Sequence, residues 1–345
     1  MTNQHEITKR MPLLNREGNL TEPGWARGLL WDYHRPDIRA SGMRIKEWDY
    51  YFVSNGHIGL ALTIADNGYM GLDSVSYLDF DEKWEITKSP MRLLPMGTTA
   101  LPETSTAGSS EIARGGYALA FYHDDDGTRK LTFHMDKFRG KDAIEGMISL
   151  SDEPAESMVI ATPFEKSGHF YYNQKINCMR AAGWIELGGA RVELEPETWF
   201  AVLDWGRGVW TYHNTWYWGS ASGELDGVPF GWNIGYGFGD TSAASENVLF
   251  YGGKIHKLSQ VRFEIPMQDG EENYLAPWRF SSDDGRFEMA FTPILNRAAY
   301  TSVGVIKSDQ NQVFGRFTGT AALDDGTVLQ VNDFFGFAEK VENKW

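Results

Sequence analysis

The chain has 345 residues, 42% of them hydrophobic and 23% charged, values typical of a globular protein large enough for two domains. Its formal net charge of −15 disfavours binding to nucleic acids or anionic membrane surfaces, and no run of Lys or Arg offsets that charge. No apolar stretch is long enough to span a bilayer, and the polar first ten residues lack the apolar core of a signal peptide. Cys178 is the single cysteine and cannot form an internal disulfide. We therefore expect a cytoplasmic protein with no membrane span and no nucleic-acid partner, and leave its oligomeric state open.

Alternating apolar residues predict β-strands along most of the chain. The period of two is clear within residues 58–64, 131–136, 192–194, 261–265 and 287–291. Asn-Gly and Asp-Gly pairs, which tolerate positive φ angles, punctuate these segments as hairpin turns do. Helical periodicity is limited to short turns near Trp25 and over Asp81–Ile86. The sequence predicts an all-β fold of antiparallel barrel or sandwich units.

Two units of similar size are expected. Polar and proline-bearing segments lie between residues 150 and 200, which is where we expect the boundary. We take residues 1–190 as the N-terminal unit and residues 191–345 as the C-terminal unit.

Three Asp-rich segments end in Asp126-Gly127, Asp284-Gly285 and Asp325-Gly326. A calcium loop needs alternating oxygen ligands and a distal Glu at a fixed spacing, and none of the three has that pattern. We interpret them as hairpin turns and predict no metal site.

The segment from Phe230 to Gly239 alternates large apolar residues with Asn233 or glycine. Its G-x-G-x-G spacing does not match a nucleotide-binding loop. As a strand it has one apolar face and one nearly bare face. That bare face allows either close packing of another backbone or room for a ligand, and the sequence leaves both open.

The most distinctive segment runs from Asp204 to Trp210 and places a charged pair among Trp and Gly residues. Burying Asp204 and Arg207 is costly unless the charges meet each other or a ligand. Three residues separate them, so in a regular strand they would point to opposite faces, and a bulge at Gly206 would bring them together. One interpretation is a structural clamp between strands; the other is an acid/base or substrate-orienting pair.

Polar and aromatic residues near this segment complete the candidate site. Glu246 is a possible second carboxylate, because paired carboxylates in unlike environments can divide acid and base duties. A surface loop explains it equally well. We therefore take Asp204, Glu246 and Arg207 as candidate catalytic residues. The candidate ligand contacts are Trp205, Trp210, Tyr212, His213, Trp216, Trp218, Asn233, Tyr172, Lys175 and Asn247.

Four motifs together resemble the microbial domain-of-unknown-function family 2804. They are the runs 170–175, 203–210 and 235–240 with Glu246-Asn247, and Leu323–Gly326. More distantly, the chain resembles the tandem lipocalin-like group of carotenoid 1,2-hydratases, tocopherol cyclases and fungal Diels–Alderases. That resemblance implies two lipocalin-like β units with the Asp204-Trp205-Gly206 motif beside the ligand cavity. Arg207 departs from the pattern of that group, which puts a carotenoid substrate in doubt.

These observations lead to two hypotheses. The first is a cofactor-free acid/base enzyme, of the hydratase, dehydratase, isomerase or cyclase type, acting on a small or medium-sized organic molecule. In it Asp204 is the general acid or base and Arg207 orients the substrate. The second is a lipocalin-like protein that binds an apolar or carbohydrate ligand without chemistry.

Overall fold

The computed structural model describes residues 4–124, 126–303 and 306–344. The described residues form 27 β-strands and two short 3₁₀ helices, Arg35–Asp37 and Gly42–Arg44. The all-β prediction is confirmed. The short helical turns expected near Trp25 and over Asp81–Ile86 are not helices: Trp25 lies in a strand and pairs with Ile160, and a turn over residues 81–83 leads into the strand Trp84–Lys88. In both places, pairing with a neighbouring strand outweighs weak local helical preference.

The first large sheet is antiparallel and contains fourteen of the strands in the described residues. They are β2 (Gly24–Ala26), β4 (Ile45–Ser54), β5 (Ile58–Asp66), β6 (Met70–Asp79), β7 (Trp84–Lys88), β8 (Met91–Leu93), β9 (Gly108–Arg114), β10 (Tyr117–His123), β11 (Arg129–Arg139), β12 (Asp142–Ser151), β13 (Met158–Pro163), β14 (Phe170–Leu187), β15 (Ala190–Leu194) and β16 (Phe200–Val209). A parallel pair, β1 (Met11–Pro12) and β3 (Trp31–Asp32), lies beside them.

The second large sheet is also antiparallel, with nine strands in the described residues. They are β17 (His213–Leu225), β18 (Val228–Tyr236), β19 (Val248–Tyr251), β20 (Lys254–Lys257), β21 (Val261–Glu264), β24 (Trp278–Ser282), β25 (Phe287–Val303), β26 (Ile306–Ala322) and β27 (Val328–Lys344). A small hairpin joins β22 (Met267–Gln268) to β23 (Glu271–Glu272). Each large sheet has an apolar core of its own, and two smaller apolar clusters join residues of both sheets.

Strand pairing changes from the first sheet to the second between Val209 and His213. The division into units 1–190 and 191–345 stays a prediction. No helix of the described residues is long and apolar enough to cross a membrane.

The Asp-rich segments are turns. The amide of Gly127 donates to the Asp124 carbonyl at 3.0 Å, and the amide of Gly326 donates to the Leu323 carbonyl at 3.0 Å. In the described part of the chain, no three His, Cys, Asp or Glu side chains come together in a group that could hold a metal ion.

One row of residues crosses the first sheet on the face toward the second sheet. Thr63 is paired with Tyr50, Tyr50 with Asp204, and Asp204 with Lys175. Directly paired residues of antiparallel strands point to the same face, so this register brings together side chains from four strands, β5, β4, β16 and β14.

A second row crosses the second sheet in the same way. Arg297 is paired with Gln312, Gln312 with Glu339, and Glu339 with Trp218. Trp218 is paired in turn with Gly235 of β18. The side chains of both rows line one cavity between the sheets.

A bulge in β14 fastens the two sheets to each other. The register of β14 against β16 shifts between Ile176 and Met179, where Cys178 has a φ of 65°. The displaced Asn177 donates from Nδ2 to Ser220 Oγ at 2.8 Å and to the Ala221 carbonyl at 3.0 Å, both in β17. The bulge therefore sets the position of the second sheet over the first.

Candidate functional site

A cavity of about 290 Å³ lies between the two sheets. Aromatic rings form one of its walls. Trp210 contacts Trp48, Trp216 and Phe238 edge-on, with ring centroids 5.2, 5.8 and 4.9 Å apart. Tyr171 packs edge-on against Phe238 at 4.9 Å. Such edge-to-face contacts fix the rings without filling the space in front of them.

Gly206 explains how Trp48 reaches this wall. A Cβ at Gly206 would lie 1.9 Å from the indole ring of Trp48, a distance no side chain tolerates. The bare position on β16 lets the ring lie flat across the neighbouring strand.

An ion pair lies at the centre of the first sheet's row. Lys175 Nζ is 2.9 Å from Asp204 Oδ1 and 4.0 Å from the centroid of Trp218. Asn173 Nδ2 also donates to Asp204 Oδ1, at 2.6 Å. Both members of the pair are buried, with side-chain exposures of 3% for Lys175 and 11% for Asp204. The Asp204 side chain is held in a fixed orientation on the cavity wall.

Glu339 lies on the opposite wall. Trp216 Nε1 donates to Glu339 Oε1 at 2.8 Å, and Gln312 Nε2 donates to Oε2 at 3.1 Å. Protein surrounds this carboxyl apart from the space of the cavity, and desolvation raises its pKa to about 7. Near neutral pH it therefore exists in both the acid and the base form.

Glu246 supplies a third carboxyl group to the same cavity. Desolvation raises its pKa, while nearby Lys175 opposes the shift. Asn233 Nδ2 donates to Glu246 Oε2 at 3.1 Å, and Asn233 Oδ1 accepts from Trp218 Nε1 at 2.7 Å. A Cβ at Gly235 would lie 2.7 Å from Glu246 Oε1. The bare face of β18 therefore serves close packing of this carboxyl group.

Arg207 lies away from Asp204. The strand β16 is regular at Gly206, so the two side chains point to opposite faces, and Arg207 is fully buried in the first core. Its Nη1 is 3.0 Å from Asp49 Oδ1, its Nε is 3.8 Å from Glu47 Oε1, and its guanidinium lies over Trp205. The structure therefore joins Arg207 to a different pair of carboxylates.

The other sequence candidates divide into two groups. Trp210, Trp216, Trp218 and Lys175 line the cavity with Asp204 and Glu246, and Asn233 supports Glu246 from behind. The remaining five do not line the cavity. Trp205 and Tyr172 are buried in the core of the first sheet, and Tyr212 and His213 are exposed where the chain passes from β16 to β17. Asn247 is buried, and its side chain is hydrogen-bonded to the backbone of Gly235 and Ser259.

Sequence reasoning missed Glu339, Gln312, Arg297 and Trp48. A signal for Glu339 exists, since it shares the strand parity of Phe337 and Val341, both buried. A single carboxylate on an otherwise apolar strand face indicates a buried functional or structural charge.

The raised pKa of Glu339 predicts a pH-dependent stability. Its unfolded value is 4.5 and its folded value about 7. The folded state holds the extra proton, so the stabilisation is fully present below pH 4.5 and is lost as the pH rises through 7. We expect about 1–3 kcal/mol from this group, allowing for cavity water.

Glu339→Gln should remove this contribution, so the difference in unfolding free energy between pH 5 and pH 8 becomes smaller. Urea unfolding at the two pH values measures it, with the exposed Glu264→Gln as the matched control. If the difference in unfolding free energy between pH 5 and pH 8 is the same in Glu339→Gln as in the unaltered protein, Glu339 does not have the raised pKa.

The model of the domain-of-unknown-function family DUF2804 matches residues 4–345. The chain belongs to this family. The resemblance inferred from the sequence motifs is thereby confirmed. No curated protein sequence matches the chain significantly.

Three solved structures align with this family member, and the first of them, with a TM-score above 0.5, shares its fold. A "putative AttH" from Nitrosomonas europaea aligns with a TM-score of 0.53 at 12% identity, over 86% of this chain and 92% of its own. Kievitone hydratase from Nectria haematococca aligns with a TM-score of 0.48 at 8% identity, over 97% and 98%. CghA with Sch210972 aligns with a TM-score of 0.44 at 10% identity, over 87% and 88%. At such identities the likeness concerns the fold alone.

Proposed function

We propose that the protein is an acid/base enzyme that moves a proton on a small or medium-sized organic molecule bound in the cavity between the sheets. One observation carries the proposal. The buried Asp204–Lys175 ion pair and two carboxyl groups with raised pKa values, Glu246 and Glu339, line the same space. Titratable groups in unlike environments around one pocket are the arrangement that acid/base catalysis needs.

The environments of the carboxyl groups suggest their roles. Protonated Glu339 donates a proton to a carbonyl oxygen or to an alkene carbon of the ligand. Asp204, fixed by Lys175 and Asn173, accepts a proton from a C–H group or from a water molecule. Glu246 is a second candidate for either step.

The proton balance closes with water and solvent protons. In an isomerisation Asp204 takes the proton lost at one carbon, and Glu339 gives the proton gained at another. In a hydration, water is the second reactant: it supplies hydroxide to one carbon as Asp204 removes its proton, and Glu339 supplies the proton to the other carbon. Exchange with solvent then returns the proton from Asp204 and restores the proton of Glu339. No electrons leave the ligand, so the proposed step needs no redox cofactor.

The aromatic wall supports this chemistry physically. The rings of Trp48, Trp210 and Trp216 restrict water in the cavity. Their faces also stabilise positive charge that develops when a ligand is protonated, as the Trp218 ring already does for the Lys175 ammonium at 4.0 Å.

The experiment needs no known substrate. A small-molecule extract is incubated with the protein in D₂O, and untargeted mass spectrometry follows every compound. We expect at least one compound to gain a solvent deuterium, or to gain or lose water, in the presence of the protein and not of a heat-denatured sample.

The same experiment tests the binding hypothesis. If native mass spectrometry shows a retained ligand while no compound in the extract exchanges deuterium or water, the protein binds without catalysis and the enzyme proposal is wrong.

A further inference from the structure

Arg297 is the cavity's second cationic side chain, and its surroundings differ from those of Lys175. It lies on β25, and its Nη1 donates to Ser76 Oγ of β6 at 2.8 Å, across the gap between the sheets. Ser76 is buried, and its hydroxyl also accepts from Thr87 Oγ1 at 2.9 Å. A neutral hydroxyl that accepts two donors does not neutralise a guanidinium group.

Although its charge opposes the rise in the pKa of Glu339, Arg297 forms no close ion pair with a carboxylate in the part of the chain that is described. Other arginines in the interior do: Arg92 contacts Asp73 at 2.8 Å, and Arg129 contacts Glu153 at 2.8 Å. Charges in partly buried positions are ordinarily paired, because desolvation is expensive. Arg297 thus has a guanidinium with most of its N–H donors available to the cavity.

The charges around Arg297 favour a negative partner. Asp204 is paired with Lys175, and burial favours the protonated forms of Glu339 and Glu246. Glu85 also lines the cavity, half-buried, and accepts from the Thr87 hydroxyl at 2.8 Å. With Asp204 paired and Glu339 only partly ionised near neutral pH, Arg297 and Glu85 are the main unpaired charges of the cavity wall around Ser76 and Thr87, and only Arg297 offers a planar set of donors.

The register of β25, β26 and β27 places Arg297 and Glu339 in one row of the second sheet. Arg297, Gln312 and Glu339 occupy three adjacent strands in one row, so the backbones at the two ends of the row lie about 10 Å apart. A ligand held at the guanidinium can therefore extend along this row toward Glu339. The aromatic wall formed by Trp48, Trp210 and Trp216 suits a flat ligand in the same cavity.

We infer that Arg297 anchors the anionic group of a flat aromatic ligand and so selects the substrate of this cavity. The planar guanidinium group matches a carboxylate, which is the anion we assign. The inference rests on the proposed function for the cavity itself. Arg297 is a binding residue here, and the proton transfer is assigned to other side chains. Planar bidentate pairing distinguishes arginine from lysine at such a site.

Two matched probes test the anchor: 2-naphthoate, and neutral 2-naphthalenemethanol of similar size. Quenching of tryptophan fluorescence, confirmed by calorimetry, reports binding near the Trp wall. We expect the unaltered protein to bind 2-naphthoate at least about tenfold more tightly than the alcohol, which is a typical effect of one charge-assisted contact. Arg297→Gln should bring the two affinities within about threefold of each other.

Two further variants separate anchoring from a structural role. Arg297→Lys keeps the charge but not the planar fork, and should retain only part of the preference. Arg279→Gln makes the same charge change at an exposed position of β24 in the same sheet, and should leave the preference unchanged. If Arg297→Gln unfolds at a lower temperature, the carboxylate preference of Arg297→Lys still shows whether the guanidinium group anchors the ligand.

Three results would overturn the anchor: equal affinity of the unaltered protein for both probes, a preference that survives in Arg297→Gln, or no binding of either probe. The deuterium experiment remains separate. Exchange without a carboxylate preference overturns the anchor alone, whereas a carboxylate preference without exchange overturns only the enzyme proposal.

Discussion

Asp204→Asn is expected to lower kcat at least about a hundredfold on the compound that exchanges deuterium. General acid/base catalysis contributes about 10²–10⁴-fold, and an amide cannot accept the proton that the carboxylate takes. The amide has nearly the same shape and can still accept from Asn173, but Lys175 loses its ion-pair partner, so a loss of stability is expected beside the loss of activity. The loss should appear in kcat more than in KM, because the substitution removes proton transfer in the transition state rather than binding of the substrate.

The measurement is steady-state kinetics well below the unfolding temperature, with 2-naphthoate binding as a check that the cavity persists. Asp226→Asn is the matched control, since Asp226 is exposed in the β17–β18 turn with a φ of 50° that Asn also tolerates. If Asp204→Asn retains kcat within about threefold of the unaltered protein, Asp204 is not the base.

Arg207→Met is expected to destabilise the fold by about 3–5 kcal/mol, the effect of breaking a buried ion pair by removing one partner. Arg207 is fully buried, and its loss leaves Asp49 without its ion pair. Glu47 loses a charge partner as well, although Arg35 and the Tyr33 hydroxyl still contact it. Three backbone carbonyls, of Trp48, Gly206 and Pro102, also lose the Arg207 donor.

Urea unfolding followed by tryptophan fluorescence measures this loss. The double variant Arg207→Met with Asp49→Asn should recover part of the stability, because the unpaired carboxylate is removed together with the cation. A loss below about 1 kcal/mol in the single variant would show that Arg207 is not a necessary partner of these carboxylates.

The two variants also separate the alternatives that the sequence left open for the Asp204–Arg207 segment. A clamp and a catalytic pair looked alike in sequence because a bulge decides which faces the side chains occupy. The bulge occurs on the partner strand, at Cys178 of β14, and β16 stays regular at Gly206. Nothing in the sequence of β16 itself reports a bulge in its neighbour.

Much of the fold was predictable, because alternation and turn residues act over a few positions. The cavity was predictable only in part. Lys175, Asp204 and Glu246 stood out beside aromatic residues, whereas Glu339 and Arg297 reach the same space through the register of β25, β26 and β27. Register between strands depends on long-range packing, which local patterns do not encode.

The bulge of β14 has a consequence for how the protein is made. Lys175 and Asp204 belong to the sheet that is synthesised first, while Glu339 and the tryptophans of β17 belong to the second. During translation, the face of the first sheet that carries Trp48 is uncovered until the second sheet docks onto Asn177. That interval exposes apolar surface and is where chaperones or premature association would act. Docking onto Asn177 is therefore the step that ends this exposure.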